Sequence, residues 1–235
     1  MTNRTSASKT LRVWDLAVRL FHWACVALVL VTYFSSDWMD LHFKAGYLLL
    51  VLVFFRLIWG LLGTKYARFS QFVRSWPQVW TYTKGMLKGT PKHFVGHNPL
   101  GGWMIVALLV ALMLAILTGL YSSDDWSIGP FVMLAPTSKV TALMAGLHEE
   151  AANVLMILAL VHVVGVIANS ILSGENLVRT MITGEKACKA SQDQEDLSVA
   201  PLSGARLIRG WGALGLSLFL TWLISRWGTS PLNWF

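Results

Sequence analysis

The sequence has few charged residues. Of its 235 residues only 13% are charged, whereas 55% are hydrophobic, and the mean hydropathy is +0.56. A soluble domain carries about 25% charged residues, so the composition excludes an ordinary soluble domain. It also excludes a disordered chain, which would be poor in apolar residues. We expect an integral membrane protein whose net charge of +7 reflects basic loops rather than binding to nucleic acid.

Cysteine is scarce as well. The chain has two cysteines, Cys25 and Cys188, which is too few for a disulfide scaffold. Because Cys25 is predicted to lie inside the membrane and Cys188 in the cytoplasm, we do not expect them to form a disulfide. The first apolar stretch lacks a small-residue cleavage site after it, so we expect it to remain as a membrane anchor.

Long apolar runs dominate the rest of the chain. They predict transmembrane helices at about 14–35, 42–62, 101–121, 148–172 and 207–227. The fold class expected is all-α: an integral membrane four-helix bundle followed by a fifth C-terminal transmembrane helix. We expect a cytoplasmic N-terminal tail at 1–12 and a membrane domain at 13–186. A cytoplasmic linker at 187–205 and a C-terminal helix with its tail at 206–235 are expected to follow.

The basic residues predict the orientation. With the N-terminus in the cytoplasm, fifteen of the nineteen Lys and Arg residues fall on the cytoplasmic side, and the outer face collects Asp37, Asp40, Asp124, Asp125, Glu149 and Glu150. We therefore expect a multi-pass membrane protein whose N-terminus lies in the cytoplasm. The loop between the second and third spans interleaves aromatic and basic residues, which predicts a helical segment lying flat on the cytoplasmic surface, with Phe69, Phe72, Val73, Trp76 and Trp80 at helical spacing.

Four of the six histidines lie in or beside the spans at two matched depths. His148 and His162 are 14 residues apart, which places them on one helix face and about 21 Å apart along the axis. His42 is level with His148 near the outer surface, and His22 is level with His162. We call His22 and His162 the inner pair, and His42 and His148 the outer pair. A single intramembrane histidine can simply bond a neighbouring helix, but two matched pairs favour a bound group.

Imidazoles that face each other across a helical bundle are a way to hold haem. The chain contains no C-x-x-C-H, so covalent attachment is excluded and any haem would be b-type. Two histidine ligands fill both axial positions, which favours electron transfer over oxygen activation. Zinc and copper generally need three or four protein ligands, which separated pairs do not supply. The haem-free alternative is a transporter whose histidines relay protons.

Two cations are candidates for binding the propionates of such haems. Arg56 follows His42 by 14 residues and lies near the depth of the inner pair, so we expect it at the inner haem. The alternative for Arg56 is snorkelling to the interface. Lys44 is the corresponding candidate at the outer haem, unless it is a solvated loop residue.

Several stretches together carry a family resemblance: VWDLAVRLFHW (13–23), LHFKAGYLLLVLVFFRLIWGLLG (41–63), YARFSQFV (66–73), GHNPLGGWM (96–104), LHEEAANVLMILALVHVVGV (147–166) and ENLVRTMITGEK (175–186). The chain resembles the bacterial cytochrome b-561 / Ni,Fe-hydrogenase cytochrome b-subunit family. The resemblance implies two b haems, one ligated by His22 and His162 and the other by His42 and His148. It also implies a location in the bacterial inner membrane and electron transfer between the quinone pool and a periplasmic redox protein, either a hydrogenase-like enzyme or a c-type cytochrome.

The resemblance leads to a candidate quinone site and to one further alternative. His97 and Asn98 lie at the cytoplasmic mouth of the third span, where either could bond a quinone carbonyl. Their alternative role is to turn the chain and cap that helix. A related branch oxidises superoxide and passes the electrons to quinone, so superoxide oxidase is the alternative activity. The fifth helix departs from the minimal four-helix form, and self-association into a homo-oligomer stays open.

Overall fold

A computed structural model of the protein describes residues 9–89, 94–123, 128–188 and 204–227. Its helices are α1 (Leu16–Phe34), α2 (Met39–Leu62), α3 (Phe69–Phe72), α4 (Trp76–Leu87), α5 (Pro99–Tyr121), α6 (Ser138–Ser173), α7 (Leu177–Thr183) and α8 (Gly204–Trp227). Two short strands accompany them, β1 (Lys9–Arg12) and β2 (Glu185–Cys188). In this part of the chain α1, α2, α5, α6 and α8 are long and apolar enough to cross a membrane, which confirms the five predicted spans.

The helix starts follow capping residues rather than the limits of the apolar runs. The side chain of Asp15 accepts from the amide of Val18 and starts α1, and that of Asn98 accepts from Gly101 and starts α5. Helix α6 begins at Ser138, ten residues before the predicted start at 148. Its 36 residues measure about 54 Å, against about 30 Å of membrane hydrocarbon. The prediction missed this extension because it followed only the uncharged stretch.

Helix α2 is the central element of the bundle. It packs against α1, α5 and α8, and its Val53 side chain is fully buried. Between the levels of the two histidine pairs, α1, α2, α5 and α6 each contribute one face to a common hydrophobic core. Its buried members are Leu49, Val53, Ala111, Leu112 and Leu155. The opposite helix faces carry exposed apolar side chains, as expected of surfaces that contact lipid. Close packing, rather than transfer from water, stabilises such a bundle within the membrane.

A two-stranded antiparallel sheet joins the start of α1 to the end of α7. β1 pairs with β2 from Lys9 opposite Cys188 to Arg12 opposite Glu185, and the amides of Val13 and Trp14 continue the contact to the carbonyl of Gly184. Gly184 has a φ of +83°, which favours glycine. The sequence does not predict this sheet: β1 lies in the predicted tail 1–12, and β2 spans the predicted boundary between the membrane domain 13–186 and the linker 187–205. The rest of those segments, at 1–8 and 189–203, lies outside the described residues, as do Asp124 and Asp125.

The aromatic loop between α2 and α5 contains the predicted helical segment, but in two pieces. Helix α3 ends at Phe72, and α4 begins at Trp76. The break places the rings on different surfaces: Phe72 is buried, whereas Trp76 and Trp80 are exposed. Trp76 stacks on Trp103 of α5 at 4.9 Å, which holds α4 against the bundle. The location of α4 at the membrane surface stays a prediction.

Candidate functional site

The outer pair is held by hydrogen bonds from both rings. His42, in the first turn of α2, and His148, in α6, have ring centroids 5.9 Å apart with planes at 79°. Nδ1 of His42 bonds the carbonyl of Thr32 at 3.0 Å, and Nδ1 of His148 bonds that of Ala115 at 2.7 Å. A carbonyl can only accept, so each Nδ1 is the protonated nitrogen and each Nε2 keeps a lone pair for a metal.

A cavity of about 550 Å³ adjoins the outer pair and is lined by residues of α1, α2, α5 and α6. Its size lies within the range of about 300–1,000 Å³ typical of cofactor pockets. A Cβ atom on Gly46 or Gly146 would meet nothing within 4 Å, so these glycines border open space. A Cβ on Gly119 would lie 2.9 Å from the His148 ring, so this glycine lets the ring approach α5.

The inner pair has similar spacing but different support. The ring centroids of His22, in α1, and His162, in α6, are 6.5 Å apart with planes at 56°. Nδ1 of His22 is buried and has no hydrogen-bond partner among the described residues. Packing of the surrounding side chains, rather than a backbone carbonyl, therefore orients the His22 ring.

Both pairs fit axial ligation of one metal ion. A metal–nitrogen distance of about 2 Å on each side, together with the ring radii, separates two ligating imidazole centroids by about 6 Å. The described residues contain no cluster of three or more His, Cys, Asp or Glu side chains that could hold a metal ion. Two protein ligands at this spacing suit an iron whose remaining positions are filled by a macrocycle, as in haem.

Arg56 is buried close to the inner pair. It is 3% exposed, so it does not snorkel to an interface, and its guanidinium donates to the carbonyl of Ala67 at 3.0 Å. The rings of Phe21, Phe69 and Phe72 lie 5.0–6.0 Å from it. A carbonyl and ring faces balance a buried positive charge only in part, so this environment suits a carboxylate such as a haem propionate.

Lys44 is not part of the outer cavity. It lies one turn after Asp40 and forms an ion pair with it at 2.7 Å, with both side chains mostly exposed. The residues that line the outer cavity do not include it. The structure thus brings Arg56 to its predicted neighbourhood but leaves Lys44 at the surface.

His97 lies beside the inner pair, and Asn98 lies next to it as the α5 cap. The His97 ring packs 4.3 Å from Trp14 and 5.0 Å from Phe72, and its Nδ1 is buried without a partner among the described residues. Burial lowers the pKa of His97 to about 3, with further lowering from Arg56 and other nearby cationic groups. The ring is therefore neutral at physiological pH. Its side chain can donate one hydrogen bond and accept another.

The carboxylate of Asp15, which is not among the predicted site residues, connects α1 to α2 near the inner pair. Oδ1 of Asp15 caps α1, while Oδ2 accepts from Trp59 Nε1 at 3.1 Å and from Thr64 Oγ1 at 2.6 Å. An Asp just before an apolar run signals a helix start, which was visible in VWDLAVRLFHW. The bonds to Trp59 and Thr64 had no such signal, because they join residues more than 40 positions apart.

Comparison with known proteins gives consistent matches. The chain is 26% identical to a probable Ni/Fe-hydrogenase B-type cytochrome subunit of Rhizobium leguminosarum bv. viciae, over 77% of this chain and 90% of the relative. It is 27% identical to a protein of the same description from Azotobacter vinelandii, over 75% and 88%. A probable Ni/Fe-hydrogenase 1 B-type cytochrome subunit of Escherichia coli K12 is 22% identical, over 75% and 91%. No solved structure matches the chain.

A family model provides the strongest match. The model described as prokaryotic cytochrome b561 matches residues 13–184, which contain α1, α2, α5 and α6 and with them both histidine pairs. The family resemblance in the sequence is thereby confirmed. Because the match spans most of the chain, the protein belongs to the prokaryotic cytochrome b561 family of membrane proteins, whose cofactor is b-type haem.

Proposed function

We propose that the protein is a di-haem b-type cytochrome that transfers electrons between a periplasmic redox partner and the quinone pool of the bacterial inner membrane. The observation that carries this proposal is the presence of two histidine pairs at opposite ends of one helical bundle, with ring centroids 6.5 Å and 5.9 Å apart. His148 and His162 share α6, so the pairs are about 21 Å apart along its axis.

Each pair would hold one haem from two helices. His22 and His162 are the ligands at the inner site, with Arg56 for its propionates, and His42 and His148 are the ligands at the outer site. Haem, when bound, supplies a one-electron couple. The bonds from the outer histidines to backbone carbonyls fix their rings and raise the basicity of Nε2. Because each pair would supply two histidine ligands, a haem held there would serve electron transfer rather than oxygen binding.

The names of the relatives suggest the partner. Several are described as Ni/Fe-hydrogenase B-type cytochrome subunits, and this chain covers about nine-tenths of their length. We therefore take a Ni/Fe-hydrogenase-like enzyme as the first candidate and a c-type cytochrome as the second. The outer pair is the entry point on this view, because the positive-inside rule assigns the basic segments between α2 and α5 to the cytoplasm.

Quinone chemistry would take place next to the inner pair. A neutral His97 beside His22 and His162 can bond one quinone carbonyl. Asn98 uses its side-chain oxygen to cap α5, which leaves its amide N–H groups as the donors for a quinone. A position at the mouth of α5 would also give access to protons from the cytoplasm.

Haem content and spectra test the proposal. The purified protein is expected to bind two b-type haems and to show two midpoint potentials in a redox titration. Replacing His162 by Ala should remove one haem and leave the other. Loss of neither haem in that variant would contradict the assigned ligands.

The two alternatives from the sequence predict different results in the same preparation. A colourless protein would support a proton-relaying transporter. Rapid haem reduction by superoxide, with quinol produced in the absence of any protein partner, would support superoxide oxidase. Reduction only when a periplasmic redox protein is added is the result that our proposal predicts.

A further inference from the structure

Helix α8 lies outside residues 13–184 that match the family, yet it packs against α2 at the level of the inner site. We propose that α8 is a positioning element of the inner site, acting on His22 through Trp59 and Asp15. The readout rests on the proposed function, since it uses the haem that the inner pair would bind. The positioning itself follows from contacts between this chain's own residues.

The first step is the contact between α8 and Trp59. Ala213 of α8 is 4% exposed and belongs to one core cluster with Val18, Phe55 and Trp59. A Cβ on Gly210 would lie 3.6 Å from the Trp59 ring, in ordinary van der Waals contact, so Gly210 faces the indole and a side chain longer than Ala would press on it. The ring of Phe55, in the same cluster, stacks nearly parallel to the ring of Trp59, with the ring centroids 5.9 Å apart. The indole is thus enclosed, and α8 forms part of the enclosure.

The second step runs from Trp59 to α1. The indole N–H donates to Oδ2 of Asp15, which also accepts from Thr64, while Oδ1 of Asp15 caps the first turn of α1. One carboxylate therefore ties the start of α1 to the end of α2. His22 lies two turns farther along α1, and its Nδ1 has no partner of its own among the described residues. The direction of the His22 ring therefore depends on where α1 is held.

The contacts that run from α8 through Trp59 and Asp15 to α1 do not extend to the outer pair. The core cluster between the two pairs draws its members from α1, α2, α5 and α6, and no described residue of α8 belongs to it. His42 and His148 are fixed by carbonyls of α1 and α5. A change in α8 should consequently affect one haem and spare the other.

Two glycines of α8 supply a matched test. Gly210 faces Trp59, whereas a Cβ on Gly212 would meet nothing within 4 Å. Gly210→Leu and Gly212→Leu add the same side chain to the same helix, two residues apart. The measurement is a redox titration of each purified variant, in which the inner haem is the one that His22→Ala removes. We expect Gly210→Leu to shift the midpoint of the inner haem and broaden its spectrum, and Gly212→Leu to leave both haems unchanged.

A second variant covers the case in which Gly210→Leu does not fold. Trp59→Phe retains an aromatic ring but removes the N–H that reaches Asp15, so it should shift the same midpoint with little loss of protein. Unchanged inner midpoints in both Gly210→Leu and Trp59→Phe would overturn the inference while leaving two haems, and the proposed function, intact. Equal shifts of both haems would overturn it as well. Absence of haem from the unmodified protein would instead refute the proposed function.

Discussion

The inner and outer histidine pairs are built differently although their ring spacings are similar. Both outer histidines are bonded through Nδ1 to backbone carbonyls of neighbouring helices. Of the inner pair, His22 has a buried Nδ1 without a partner among the described residues, and charged and aromatic side chains surround the site. Backbone carbonyls hold a ring in place largely regardless of nearby substitutions. We therefore expect the inner site to respond to single side-chain changes that the outer site tolerates.

The largest expected effect is the loss of one haem, which tests whether the inner and outer sites bind haem independently. His148→Ala and His162→Ala should each remove about half of the haem absorbance, because a six-coordinate haem that loses one axial ligand is no longer held between two helices. Pigment quantification and difference spectra measure this. Loss of both haems from each variant would show that the two sites do not form independently.

Filling the outer cavity should come next in size. Gly46 lines the cavity, and a Cβ there would meet nothing within 4 Å, so Gly46→Leu fits the protein but occupies the space beside His42. We expect the outer haem to be depleted while the inner haem is retained. Gly212→Leu, which also adds a side chain in open space but on α8, serves as the control. Full haem content in Gly46→Leu would contradict a cofactor in this cavity.

A third effect should appear only at the inner site. Replacing His97 by Ala removes the neutral imidazole proposed to bond the quinone, and the rate of quinone-linked turnover should fall by about 100-fold, the lower range for a lost proton-transfer group. Both haems and their spectra should persist, because His97 is not one of the proposed ligands. Turnover with a quinone analogue after rapid haem reduction measures this. An unchanged rate would remove His97 from the quinone site.

Removing a charge near the inner site should shift the midpoint potential of the inner haem by a smaller amount, downward for a lost positive charge and upward for a lost negative charge. Arg56→Met removes a buried positive charge and should lower the inner midpoint by about 60 mV, equivalent to a tenfold change for a one-electron couple. Asp15→Asn removes a negative charge from the same surroundings and should raise that midpoint. Redox titration of the two variants gives both signs. Shifts in the same direction would indicate rearrangement rather than electrostatics.

The smallest effect is expected at Lys44. Its ion pair with Asp40 is mostly exposed, and exposed charges are strongly screened by water and salt. Lys44→Gln should therefore leave the outer midpoint unchanged in the same titration. A clear downward shift would restore Lys44 to the outer site, as the sequence first suggested.

Helical periodicity explains which features the sequence revealed. The spans follow from uncharged runs, and the two histidine levels follow from a spacing of 14 residues along α6. Both are local properties of the chain, whereas the ring distances come from the folded structure. The fit of Arg56 to the inner region was likewise visible from its position relative to His42 within one helix.

Contacts between distant parts of the chain explain what the sequence did not reveal. The bond from Trp59 to Asp15 links α2 to α1, and Gly210 meets Trp59 across about 150 residues. The pairing of β1 with β2 likewise joins two segments that are far apart in the sequence, one before α1 and the other after α7. No spacing rule within a single helix carries this information. Lys44 is a different case, because its partner Asp40 lies one turn away in the same helix; its exposure depends on which elements pack against that face of α2.

The small sheet constrains how often the chain crosses the membrane. β1 precedes α1 and β2 follows α7, and the two strands pair along their full length. Paired strands must lie on the same side of the bilayer, so an even number of crossings separates them. The helices α1, α2, α5 and α6 satisfy this parity. Crossing by α8 then makes the number of crossings among the described helices odd, so Trp227, at the end of α8, lies on the side opposite the sheet.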